Sequence, residues 1–233
     1  MAFSLIQNTK ELISLKRDAG DIPSIHGIRF FCAMMILNAH KVVVAYYNPM
    51  ANRTAMSDSI DNPWTVFIRA SSFFPDIFLM ISGFITTYSF VGRLQRGQKI
   101  GIFQEYLGRY LRFIPPLAGL ILFITYILPS LGSGPQWSNL IIREADKCDK
   151  ISWLNFLFIQ NWFGVNQICQ FHTYHIAIDF QLFLIAPFMV LMLWKYPKRG
   201  AYVIVLLALI STVARYHVTY FNNLSIYVLY RME

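Results

Sequence analysis

The stretch "IAIDFQLFLIAPFMVLMLW", residues 176–194, sets the class of molecule. Its nineteen residues, wound as an α-helix, rise about 28 Å, close to the ~30 Å of hydrocarbon in a bilayer. It reads as a transmembrane helix even though Asp179 and Gln181 lie within it. Apolar stretches of spanning length recur on either side of it, near 25–45, 65–91, 111–129 and 201–221. The expectation is therefore an all-α, multi-span transmembrane helical bundle with about five crossings. A further run, "WLNFLFIQNWFGV" at 153–165, holds only thirteen residues and reads as a re-entrant or interfacial segment.

Composition agrees. The 233 residues are 56% hydrophobic and 16% aromatic with only 14% charged, a balance that suits a bilayer better than water. The excess of 20 Lys+Arg over 12 Asp+Glu does not indicate nucleic acid, because the basic residues sit in short clusters between apolar runs, as orientation signals do. The lipid bilayer is the expected partner. Residues 1–21 lack the apolar core and small-residue cleavage site of a signal peptide. They read as an amphipathic segment lying at the cytosolic interface, with Phe3, Leu5, Leu12 and Leu15 on its apolar side. The first span then serves as its own insertion signal, or something precedes Met1.

Lys and Arg orient the chain. The segments 91–112, with Arg93, Arg96, Lys99, Arg109 and Arg112, and 195–199, with Lys195, Lys198 and Arg199, belong in the cytosol by the positive-inside rule. The amino terminus, with Lys10, Lys16 and Arg17, joins them. The connections 46–64 and 130–175 and the tail after 221 then face the lumen or exterior, where Asn52 in "NRT" and Asn223 in "NLS" are possible glycan acceptors. Cys148 and Cys169 share the outer connection if 153–165 does not cross, and an oxidising compartment lets them pair. That bridge would close a loop of about 20 residues and contribute roughly 3 kcal/mol. The alternative is two unpaired thiols. Cys32, inside the first span, reads as a small core residue.

Several polar side chains lie where lipid penalises them. Arg29 and His40 are eleven positions apart, which places them within about 20° of one helix face and about 16 Å apart along the axis. They can look into one cavity from different depths, or Arg29 can snorkel to headgroups while His40 marks a helix end. Arg109 and Arg112, spaced i, i+3 in "YLGRYLRFIPP", suit a polyphosphate or simple positive-inside anchoring, and Pro115 and Pro116 are expected to disturb the helix beyond them. Asp76, in "FFPDIFLMISGF", is expected to offset Arg29 or Arg69, or to orient His40. Gly83 offers a surface for close helix approach. His175 and Asp179, at i, i+4, can meet on one face, either to hold an imidazole for proton transfer or merely to neutralise the carboxylate. A metal site from His172, His175 and Asp179 lacks an evident fourth ligand.

Taken together, R-x10-H in the first span (Arg29, His40), D-x-F-x-x-x-S-G-F in the second (Asp76 to Phe84) and R-x-x-R before the third (Arg109, Arg112) resemble the acyltransferase 3 family of membrane acyltransferases. "FSLIQNTKELISL", "IHGIRF", the Cys148/Cys169 pair and "HTYHIAIDFQLFLIAP" resemble more narrowly its animal branch called nose resistant to fluoxetine. The resemblance implies a bundle of about ten spans, of which residues 22–233 would be a partial domain, the amino-terminal half. It further implies His40 as the leading catalytic candidate and Arg29, Arg109 and Arg112 as holding the donor; Asp76 and Asp179 join His40 as catalytic candidates from their own positions within the spans. Acyl-CoA enters as donor substrate and no cofactor is tightly bound; the acceptor is a hydroxyl or amine of unstated identity. Tyr174-His175 stands where relatives show Trp-Tyr, so a role for His175 does not carry over. The expected location is the endoplasmic reticulum or plasma membrane. A transporter or lipid-handling protein is the alternative, since a substrate pathway also needs paired charges in a cavity.

Overall fold

A segment crossing lipid must satisfy its own backbone hydrogen bonds, which leaves the helix as the natural state of long apolar runs. The computed structural model describes residues 4–14, 22–47, 51–52, 54–55, 58–59, 62–66, 73–164 and 167–223, and every regular element among them is helical. Four helices are long and apolar enough to cross a membrane: Phe74–Gln95, Ile102–Ser130, Phe171–Lys195 and Pro197–Phe221. The protein is a multi-pass membrane protein. The chain divides into two units, one through Ile81 and the other from Ser82.

The first unit begins with α1 (Leu5–Ile13), whose N-cap Ser4 accepts a hydrogen bond from the Gln7 amide at 3.3 Å. Leu5, Ile6, Leu12 and Ile13 are exposed along it, while Phe3 and Leu15 lie outside the described residues. Next, α2 (Pro23–Tyr47) opens on a proline, which suits a first turn because the missing amide had no partner there anyway. Its 25 residues would span about 37 Å. It carries His26, Arg29, His40 and Lys41 within an otherwise apolar run. Cys32 is buried, and Phe31 meets Phe74 edge-on at 6.0 Å. The second expected span starts at Phe74 rather than at 65, with Pro75 in its first turn; Arg69 lies outside the described residues.

In the second unit, α3 (Phe74–Gln95) ends in a Schellman motif. Gly97 takes φ 70°, its amide donates to Leu94 O, and the Gln98 amide donates to Arg93 O. After six residues α4 runs from Ile102 to Leu122 and continues through a π turn (Phe123–Ile127) and a 3₁₀ turn (Leu128–Ser130). Pro115 and Pro116, expected to disturb the helix, sit inside α4 without ending it. They remove the amides that would have met the carbonyls of Leu111 and Arg112, but their φ is helical, and neighbouring helices hold the run in place.

The connection between α4 and the next long helix contains α5 (Arg143–Phe156), a helix not foreseen because its charges mask its periodicity. Ala145, Cys148, Leu154 and Asn155 make its buried face. Beyond it the apolar run 153–165 is broken: Leu157 and Phe158 turn, and Gln160–Trp162 form a single 3₁₀ turn. Then come α6 (Tyr174–Lys195) and α7 (Pro197–Phe221). Gly200 alone is buried on α7; a Cβ there would stand 3.1 Å from the Leu193 Cα and 3.2 Å from its nitrogen, so the tight α6–α7 turn needs a glycine.

Two cores result. One gathers Leu117, Ile121, Cys148, Phe158, Cys169 and Ala177. Phe158 is its hub, with ring centroids 4.6 Å from Phe180, 5.7 Å from Tyr110 and 6.2 Å from Phe113. Cys148 and Cys169 are disulfide-bonded and fully buried within it. Beside them the Asn155 amide donates to Cys169 O at 3.0 Å and Thr173 Oγ1 at 2.8 Å, satisfying polar groups that the loop brings inside. The second core joins Phe90 of α3 to Phe183 and Val190 of α6.

Candidate functional site

Between these two cores lies Arg109. On α4 the residues Tyr106, Arg109, Tyr110, Phe113, Ile114, Leu117 and Ile121 follow i, i+3, i+4 spacing and form the inner face, so the guanidinium is carried into the bundle by its neighbours. There Nη2 pairs with the Asp179 carboxylate of α6 and donates to Ser82 Oγ of α3 at 2.5 Å. Nη1 donates to Thr86 Oγ1, also of α3, at 3.4 Å. The aromatic faces of Phe183 and Phe113 lie 4.2 and 5.4 Å from the guanidinium carbon. One side chain thereby joins three helices. The pair is largely withdrawn from solvent, the two side chains being 16% and 18% exposed, and Nε is buried with no hydrogen-bond partner among the described residues.

A second ion pair sits towards the α3–α4 connection, where Arg93 meets Glu105 at 2.5 Å and covers Phe90 at 4.9 Å. Glu105 lies in the first turn of α4, where the helix dipole also favours a carboxylate. Tyr106 donates its hydroxyl to Leu184 O, next to the carbonyl of Phe183 that Pro187 leaves without its usual amide. These contacts fix the packing of α4 on α3 and α6 around Arg109.

The remaining residues singled out from sequence fall as follows. Arg112, expected to act beside Arg109, is exposed on the strip of α4 that holds Gly108, Leu111, Pro115 and Pro116. The 60° between i and i+3 places one arginine inside and the other outside. Asp179, which can share a helix face with His175, is engaged by Arg109. In the first unit, Arg29 is half-buried on the same stripe of α2 as Cys32, and His40 is exposed. Asp76 is exposed in the first turn of α3, where the helix dipole favours it, and among the described residues it has no ion-pair partner. Gly83, expected to mark a close approach, has open space where a Cβ would stand. The residues that sequence reasoning passed over are Ser82 and Thr86. Their i, i+4 spacing on an apolar helix was the available signal, since two hydroxyls on one face of a span suit a buried donor. Asn52 is exposed and its side chain accepts from the Ala55 amide at 3.0 Å, while Asn223 is exposed just beyond α7.

Comparison with known proteins completes the description. Residues 22–232 match the family model for the acyltransferase 3 type, described as an acyltransferase domain. The chain is similar to Nose resistant to fluoxetine protein 6 of Caenorhabditis elegans, with 24% identity over 217 residues, 85% of this chain and 26% of that protein. It is also similar to Regulator of hypoxia-inducible factor 1 of the same organism, with 24% identity over 225 residues, 91% of this chain and 42% of that protein. The chain thus spans less than half the length of each of these relatives. No solved structure matches it. With nearly every residue inside the matched region and the R-x10-H, S-G-F and R-x-x-R elements in helices, the chain belongs to the acyltransferase 3 family.

Proposed function

We propose that the protein takes part in acyl transfer at a membrane, moving an acyl group from a cytosolic acyl-CoA to a hydroxyl or amine acceptor. The observation that supports this most is the match of residues 22–232 to the acyltransferase domain. In the reaction the acceptor oxygen or nitrogen attacks the thioester carbonyl, His40 takes the proton the acceptor loses, and the C–S bond breaks to release CoA. General-base help of this kind contributes on the order of 10² to 10⁴ in rate. The donor's phosphates call for guanidinium groups, which Arg29 and the R-x-x-R element supply, through charge-assisted hydrogen bonds. Asp179 is engaged by Arg109 and so is not the base in this reading.

The test is made on the full-length protein in native-like membranes, with labelled acyl-CoA and extracted acceptors. His40→Ala is expected to keep donor binding and lose transfer, because the base acts on the acceptor's proton and contributes little to donor affinity. Full transfer by a well-expressed His40→Ala protein would remove His40 from the chemistry. Wild-type protein that neither binds nor consumes acyl-CoA, yet moves a lipid across the bilayer, would replace acyl transfer by transport.

A further inference from the structure

A guanidinium has five N–H donors and one positive charge to offer. At Arg109 most of this is already spent. Nη2 serves both Asp179 and Ser82, Nη1 serves Thr86, and the guanidinium carbon stands 4.2 Å from the centre of the Phe183 ring and 5.4 Å from that of Phe113. The Asp179 carboxylate cancels the field that an approaching phosphate would feel. To bind that phosphate, Arg109 would have to leave Asp179 behind as a buried, unpaired carboxylate inside a spanning helix, an arrangement that low-dielectric surroundings penalise heavily. One turn further on, Arg112 is exposed and has no carboxylate in ion-pair contact among the described residues. Its charge is available.

From this we infer that the two arginines of R-x-x-R divide their work: Arg109 is a tie that fastens α4 to α3 and α6, and Arg112 is the member that meets the anionic donor. The second half rests on the acyl-CoA reading above; the first half does not. The tie also explains why the arginine lies on the inner face of α4 among Tyr106, Tyr110 and Phe113, where a ligand-binding cation would be shut in by packing. Ser82 and Thr86 belong to the tie, as hydroxyls that supply acceptors for the guanidinium's donors on the α3 side.

The experiment uses the full-length protein in detergent, with thermal unfolding midpoints and binding of labelled acetyl-CoA read on the same samples. Arg109→Met and Asp179→Leu each leave one buried charge alone and are expected to lower the midpoint. The double variant removes both charges and is expected to recover most of that loss, as buried ion pairs do when replaced by apolar side chains. It should bind acetyl-CoA as the wild type does. Arg112→Gln should leave the midpoint unchanged and weaken binding by about tenfold or more, the loss that accompanies one charged hydrogen bond. A double variant that regains its midpoint but no longer binds acetyl-CoA would show that Arg109 meets the donor, and wild-type affinity in Arg112→Gln would overturn the role given to Arg112. If the wild type binds no acetyl-CoA, the acyl-CoA reading fails by itself. The midpoints still decide the tie, which additive losses in the double variant would overturn.

Discussion

Phe158 holds its backbone at φ 55°, a left-handed conformation that costs a residue bearing a Cβ about 1–2 kcal/mol. It is kept there because its ring is 1% exposed at the centre of an aromatic cluster and because Gln181 donates to its carbonyl at 2.6 Å. Two substitutions separate these terms. Phe158→Ala loses the ring and keeps the strain, and should cost roughly 3–5 kcal/mol in an unfolding measurement. Phe158→Gly loses the same ring and relieves the strain, so it should be about 1 kcal/mol more stable than the alanine variant. Equal stability of the two, measured side by side, would mean that the left-handed turn stores no strain. Nothing in "NFLFIQNW" announces that turn, because a phenylalanine offers no local reason for positive φ. Only the cluster built by α4 and α6 supplies one.

Helices lie close or apart here according to what stands at their contact points. The α6–α7 turn closes over Gly200, against Leu193 backbone that cannot yield, so Gly200→Ala should destabilise by roughly 1–3 kcal/mol through overpacking. Gly119 of α4 has nothing within 4 Å of an added Cβ, and Gly119→Ala should be close to neutral in the same assay. A matching loss at Gly119 would show that this face of α4 is packed against something in the membrane. Spanning length was readable from apolar runs because lipid leaves a helix few alternatives. Element ends were read less well: the second span was placed at 65–91, whereas Pro75 in the first turn and Gly97 after the last one bound α3. Helix α5 went unseen because six charged residues between Arg143 and Lys150 hide an apolar face that exists only once α4 and the disulfide loop are beside it.

At the scale of the molecule, one covalent link, a few buried amides and the packing of Phe158 tie the segment between α5 and α6 to the core. Cys148 and Cys169 are 21 residues apart, and removing the bridge with Cys148→Ala and Cys169→Ala should cost roughly 3 kcal/mol. Hydrogen exchange should then rise first in residues 159–164 and 167–172, where the side chains of Asn155 and Gln160 still bridge to Cys169 and Thr173. Unchanged exchange there would assign the stiffness to those amides rather than to the bridge.

Length and apolar periodicity were enough to read an all-α membrane bundle, and the resemblance of a few motifs was enough to point to the acyltransferase 3 family, because each signal is local: a span is one uninterrupted run, and a motif is one spacing. The partner of a buried charge is not local. Arg109 and Asp179 are 70 residues apart and belong to different helices, so no spacing rule joins them. Spacing favoured Asp179 with His175 and Arg109 with Arg112, both neighbours on a single helix. The pairing that forms depends on how α3, α4 and α6 are packed, since a carboxylate and a guanidinium inside lipid must find each other wherever the helices bring them.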